Sequence, residues 1–189
     1  MEFSSAKDEV TAGAAVRPQG ADSASAGGVY TVVCHDAAGN LKWSDSFHNL
    51  VVNQGLQDMN SKYFSGSGYT AAWYLGLVTG PGSGTSFAAA DTLASHAGWT
   101  ENTNYSGNRK AATFGTATTA DPSVISNSAS AAVFTMTANA QTIAGAFLCS
   151  VSSGTSGILF SAGDFTGGDK FVDSGDTLTV TYTFSLDAA

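Results

Sequence analysis

The chain reads as an all-β protein: an antiparallel β-sandwich of jelly-roll-like topology with one short helix and a flexible N-terminal arm. Short runs rich in β-branched and aromatic residues follow one another from Val29 onward, split by Gly, Asp, Asn and Ser. Only residues 49–64 carry a helical apolar period. Residues 1–28 carry no period at all, being dominated by Ala, Ser and Gly with Phe3 as their only aromatic. The 189 residues therefore divide into an arm, 1–28, and a single β-sandwich domain, 29–189. A domain of this length buries enough surface to fold without disulfides or metals.

The elements follow in order. Residues 29–35 are β-branched and apolar, the sequence DAAGN at 36–40 supplies a turn, and 41–47 alternate Leu41, Trp43, Asp45 and Phe47 with polar neighbours, so a hairpin is predicted. In 49–64, Asn53 is placed to cap a helix whose Leu56, Met59 and Tyr63 share one face, expected to pack on a sheet. Residues 71–78 form a nearly continuous apolar strand that ends in the glycine-rich turn TGPGSG. Residues 87–109 lack period and carry His96, Trp99 and Tyr105 among polar groups, which reads as a long surface excursion. Further strands are predicted at 112–119, 129–138, 142–151, 158–165, 170–172 and 177–186, giving eight or nine in all. The last is the clearest, with Leu178, Val180, Tyr182, Phe184 and Leu186 on a core face and threonines on the other.

Charge narrows the partners. Seven Lys and Arg stand against fifteen Asp and Glu, a formal net charge of -8, which argues against a nucleic-acid footprint and against an anionic membrane surface. No apolar run approaches the roughly 18 residues that span a bilayer, and no basic-then-apolar export signal opens the sequence. A soluble protein is expected, in which the sequon Asn104-Tyr105-Ser106 has no role.

The chemistry on offer is sparse. No serine sits in the Gly-x-Ser-x-Gly elbow of a hydrolase, and the glycine-rich segments match neither phosphate-loop nor dinucleotide spacing. Glutamate occurs only at Glu2, Glu9 and Glu101, which leaves little for paired-carboxylate catalysis, and no catalytic set or cofactor site is read. His35, His48 and His96 lack metal-ligand spacing. Cys34 and Cys149 lie in apolar runs, where a free thiol serves as a small core residue. The densest acidic group, Asp164, Asp169, Asp173 and Asp176, is the weak calcium candidate; Asp beside Gly at strand ends is first of all turn chemistry. Trp43 and Trp73 fall in predicted strands and are expected to be buried, which leaves Trp99, with Tyr105, as the surface aromatic for a sugar. The residues expected to meet a partner are Phe3, Val10, Val16 and Arg17 in the arm and His96, Trp99, Tyr105 and Arg109 in the excursion.

Several segments carry a resemblance. CHDAAGNLKWSDSFHNLVVNQGL at 34–56, AAWYLGLV, DTLASHAGWTE at 91–101 and the closing GDTLTVTYTFSL, in that order and spacing, resemble a family of small virion proteins of tailed bacteriophages. The similarity runs from the first strand to the last and omits the arm. It implies a virion structural protein, not an enzyme. By analogy to jelly-roll cement proteins of similar phages, it further implies a capsid decoration protein on the outer surface of the head, made in the host cytoplasm. The implied partners are the major capsid protein and further copies of the chain as a dimer or trimer, with a tail or head-fibre protein that reads a host glycan or receptor as the alternative.

Overall fold

The computed structural model describes residues 24–69, 72–80 and 85–188. Its strands are β1 (Ala24–His35), β2 (Leu41–His48), β3 (Leu50–Val51), β4 (Tyr74–Thr79), β5 (Glu101–Asn102), β6 (Lys110–Ala111), β7 (Ser123–Ser126), β8 (Ala132–Thr135), β9 (Gln141–Cys149), β10 (Leu159–Asp164), β11 (Lys170–Val172) and β12 (Thr177–Ala188). One α-helix, α1 (Asn53–Phe64), and a single 3-10 turn at Ser128–Ser130 complete the described elements. The strands form two antiparallel sheets packed as an all-β sandwich. The five-stranded sheet has the order β2-β1-β12-β7 with β8 also on β12. The seven-stranded sheet has the order β3-β10-β9-β4-β5 with β11 on β9 and β6 on β4.

The predicted hairpin is present: β1 and β2 pair antiparallel across the turn, where the Asp36 carboxylate accepts from the Ala38 and Asn40 amides at 2.9 and 2.8 Å. In β12, Leu178, Val180 and Tyr182 are buried as expected, while Phe184 is half-buried and Leu186 is exposed because the strand runs on past the core. Twelve described strands exceed the expected eight or nine, since several contain only two residues and carry no period to read.

Four expectations are corrected. β1 starts at Ala24, so five residues assigned to the arm extend the sheet opposite the end of β12, from Gly28↔Phe184 to Ala24↔Ala188. Gly28 permits this, because a Cβ there would lie 2.6 Å from the Tyr182 hydroxyl oxygen. The predicted strand at 112–119 is absent; this segment instead donates single amides, Gly115 N to Ser126 O and Thr118 N to Val124 O, along the edge of β7. Asn53 does not cap α1, whose first amide is satisfied by the Ala89 carbonyl at 2.8 Å. Nor does the apolar stripe of the helix pack as a stripe: Met59 touches the core, but Leu56 and Tyr63 are exposed. The helix docks through Gly55, whose missing side chain leaves room for the Phe160 backbone.

Two apolar clusters occupy the two faces of the seven-stranded sheet. Leu75, Leu77, Ala146 and Leu148 point between the sheets toward Tyr30, Val32, Phe134, Val180 and Tyr182. Val78, Ala144, Phe147 and Cys149 point the other way, toward Leu93 and Trp99. Both cysteines are buried and free, Cys34 in the first cluster and Cys149 in the second, as expected of core thiols. The outer face of the larger sheet is thus covered by the segment 85–99, which makes that sheet apolar on both sides.

Gly55→Ala tests the docking of α1. In an exposed helix interior the change stabilises by about 1 kcal/mol through propensity. Here the added methyl meets the Phe160 carbonyl, so a loss of about 1–3 kcal/mol in denaturant unfolding is expected.

Candidate functional site

The excursion places its candidate residues inside rather than on the surface. Trp99 is only 6% exposed; its ring lies 5.2 Å from Phe147 and its Nε1 donates to Asp91 Oδ2 at 3.0 Å. His96 stacks on it with ring centroids 3.8 Å apart, its Nδ1 within 3.0 Å of the Trp99 carbonyl oxygen. Trp99 as the surface aromatic is therefore corrected. The second apolar face of the sheet needed a cover, and indole burial supplies it. Trp43 and Trp73, expected inside, are only partly buried at the margin of the main core.

Tyr105 and Arg109 are likewise structural. Tyr105 sits edge-on to Phe134 at 4.8 Å, and burial, then the nearby Glu101 carboxylate, pushes its phenol well above the usual range. Arg109 is buried. Its Nε and Nη2 donate to the two Glu101 carboxylate oxygens at 2.8 and 2.6 Å, and its Nη1 reaches the Val151 and Gly154 carbonyls at 3.1 and 3.0 Å. Burial is the largest influence and works against its charge, but the Glu101 bonds together with the neighbouring Cys149, Glu101 and Tyr105 charges raise its pKa. The pair ties the end of the excursion to the loop after β9 and uses four of the five guanidinium N–H groups within the domain. Phe3, Val10, Val16 and Arg17 lie outside the described residues.

The acidic group at 164–176 is dispersed by the fold. Asp164 is exposed at the end of β10 and Asp169 lies in the loop before β11, beside Gly80. Asp173 and Asp176 share one turn: Asp176 is buried, accepts Lys42 Nζ at 2.6 Å and takes the Asp173 amide at 2.8 Å. A lysine therefore stands where a cation would. Among the described residues no three His, Cys, Asp or Glu side chains are grouped to hold a metal ion.

What remains accessible is aromatic. Met59, Tyr69, Trp73, Phe114, Phe160 and Phe184 line an open groove of about 220 Å³ where the two sheets part beside α1. Its lining is almost wholly apolar, with Asp58 and Lys62 at the rim and 3.8 Å apart. Tyr63 and Phe64, on the last turn of the same helix, are 84% and 78% exposed, and Tyr69 78%. The sequence reading placed Tyr63 on the packed face of the helix and passed over Phe64 and Tyr69. A signal was available in the adjacent pair Tyr63-Phe64, since consecutive helical residues point about 100° apart and cannot both enter one core face. Exposed aromatics around an apolar groove have the composition of a binding surface.

Comparison with known proteins gives no match. No family model, no curated protein and no solved structure is similar to the chain.

Two outcomes follow for the buried polar groups. Glu101→Gln leaves the Arg109 charge without its counter-ion and is expected to cost about 3 kcal/mol, while adding Arg109→Met recovers part of the loss in urea unfolding. Burial raises the phenols of Tyr30, Tyr105 and Tyr182, pushes the Cys34 thiol up to about 11 and raises Cys149. The Asp176 bond raises the Lys42 ammonium. All six folded-state values lie above the unfolded ones, so their contribution is complete below the unfolded pKa values and is lost as pH rises through the folded ones. Unfolding midpoints should therefore fall above about pH 8.5. Phenolate absorbance from the three buried tyrosines should rise with unfolding rather than ahead of it.

Proposed function

We propose that the chain is a bacteriophage capsid decoration protein, bound to the outer surface of the head, where it stabilises contacts between major capsid subunits. The observation that carries this reading is the accessible aromatic surface at α1, Tyr63, Phe64 and Tyr69 beside the apolar groove. Together with the order and spacing of the virion-like segments, it favours a rigid binding module. A β-sandwich supplies the scaffold, and the aromatic side chains supply anchors with large contact area and few rotatable bonds. The mechanism is reinforcement. Each copy binds the assembled shell and not free subunits, which shifts the assembly equilibrium by mass action and needs no turnover. Self-association of the chain belongs to the same reading, because shell sites repeat around symmetry axes.

The alternative, a tail or head-fibre protein that takes a host glycan or receptor through residues 87–109, loses support from the burial of Trp99, Tyr105 and Arg109. Trp99 is committed to the outer cover of the seven-stranded sheet, Tyr105 to the core between the sheets, and Arg109 to the loop after β9.

Quantitative mass spectrometry of purified virions tests the proposal through the copy number of the chain relative to the major capsid protein. A ratio within a few-fold of unity is expected; a ratio far below it moves the protein to the tail or a fibre, and absence from the particle rejects both readings. In the same system Phe64→Asp should abolish co-sedimentation with capsids. Its effect on the stability of the free protein should stay within about 0.5 kcal/mol, since the side chain is exposed.

A further inference from the structure

The five-stranded sheet has one face in the core and one without a covering element among the described residues. Burial alternates along its two central strands, so Tyr30, Val32, Cys34, Leu178, Val180 and Tyr182 point inward. Thr31 and Val33 of β1 and Thr179, Thr181 and Thr183 of β12 point outward, flanked by Ser44 and Ser46 on β2 and Val133 on β8. Between the His35↔Thr177 pair and the Val29↔Thr183 pair, no outward position on these strands is Asp or Glu, and the one Lys or Arg there, Lys42 near the end of β2, is paired with Asp173 and Asp176. This is unusual ground on a chain that carries fifteen acidic residues and a formal charge of -8.

Both edges of the same sheet are occupied. Along β2, Gly167 N donates to Asp45 Oδ2 at 3.1 Å, Thr166 Oγ1 to the Ser46 carbonyl at 3.3 Å, and Trp43 Nε1 to the Phe171 carbonyl at 3.4 Å. On the opposite side Gly115 N and Thr118 N bond the outer edge of β7, and Ser106 N bonds the end of β8. A neighbouring segment thus lies along part of each edge, and the face between them is open to another protein. Its hydroxyls are partly satisfied from within, Thr31 with Ser46 at 2.9 Å and Thr183 with Ser126 at 3.1 Å. Removing water from it strands fewer donors than an ordinary polar sheet surface would.

We infer that this face is where two copies of the chain associate, sheet against sheet, about a two-fold axis near the Thr31↔Thr181 pair. Charge selects the occupant: two bodies of the same negative sign meet at least electrostatic cost through the surface that carries none of that charge. Area sets the strength. Four strand columns about 4.8 Å apart and some seven residues long present on the order of 500 Å² per copy, about 1,000 Å² for the pair, which is the lower limit for a specific interface. The dimer is therefore concentration-dependent. The inference concerns a surface separate from the α1 groove and does not rest on capsid binding.

Sedimentation velocity of the full chain across a concentration series, with no capsid present, tests it. A reversible monomer–dimer equilibrium is expected, and Thr181→Lys should weaken it by about tenfold or more, because the axis brings the two lysines together. Mixing the Thr181→Lys chain with a Thr181→Asp chain should restore dimers. Val133→Lys, at an exposed position of the same face, gives the same readout if Thr181→Lys fails to fold. Phe64→Asp should leave the dimer intact while losing capsid binding, so failure of the decoration reading is seen separately. A chain that stays monomeric throughout overturns the inference. So does a dimer insensitive to Thr181→Lys and Val133→Lys, or one broken by Phe64→Asp. Two further results overturn it by naming another occupant: dimers that form only after deletion of residues 1–23, or a monomer whose capsid binding alone is lost in Thr181→Lys.

Discussion

The fold depends on the pairing of its first described strand with its last. β1 and β12 run antiparallel over twelve register pairs, and at Tyr30↔Tyr182 the two rings lie 4.6 Å apart. The hydroxyls of that pair cross to the other sheet. Tyr30 lies 2.8 Å from Ser161 Oγ of β10, and Tyr182 accepts from Asn49 Nδ2 at 2.8 Å. Asn49 in turn accepts the Gly28 amide at 2.6 Å, and Asn127 accepts the Tyr182 amide at 2.7 Å. A polar network in a core is tolerated only when its members find partners, and when they do it selects one register over its neighbours. A one-residue slip of β12 on β1 would take Tyr182 away from Ser161 and Asn49 and turn the threonine face of β12 inward.

Around that ladder the two sheets differ in how they meet water. The smaller sheet keeps one polar face, so its strands alternate. The larger is apolar on both faces, and the segment 85–99 is held over its outer side by Trp99, Leu93 and Phe87. Close packing there depends on absent side chains as much as on present ones: Gly76 lets the Phe147 ring lie against β4, and a Cβ at Gly98 would strike Ser86. The loop also supplies the Ala89 carbonyl to the first amide of α1, so the cover and the helix that bears the exposed aromatics are ordered together.

How far this was legible in the sequence follows from the range of the contacts. Strands β1, β2, β11 and β12 were readable because period and turn residues are local. The four residues of β7, SVIS, were passed over, because a short Ser-containing run has little propensity and is defined by its pairing with β12. For the candidate site the expectation failed at Trp99, Tyr105 and Arg109, since an aperiodic, polar-rich segment gives no sign of what it will fold against. One sign did exist elsewhere. Residues 144–149 in β9 do not alternate apolar with polar, as a strand with one wet face would, and such a run demands a second cover. Tracing that demand leads to the excursion. The helix face was misjudged for a related reason, because Gly55 contributes nothing to an apolar stripe yet makes the closest approach to β10.

The twelve-pair ladder also fixes how the domain responds to force. Because Ala24 is paired with Ala188, the two ends of the described chain leave the sandwich side by side. Tension applied between them would not load the β1–β12 hydrogen bonds together in shear; it would part them one pair at a time, beginning at the Ala24↔Ala188 end and reaching the Tyr30–Tyr182 pair only after six others had opened. A body built this way yields easily when pulled by its termini. It resists best when held by its faces, where a load spreads across the whole sandwich.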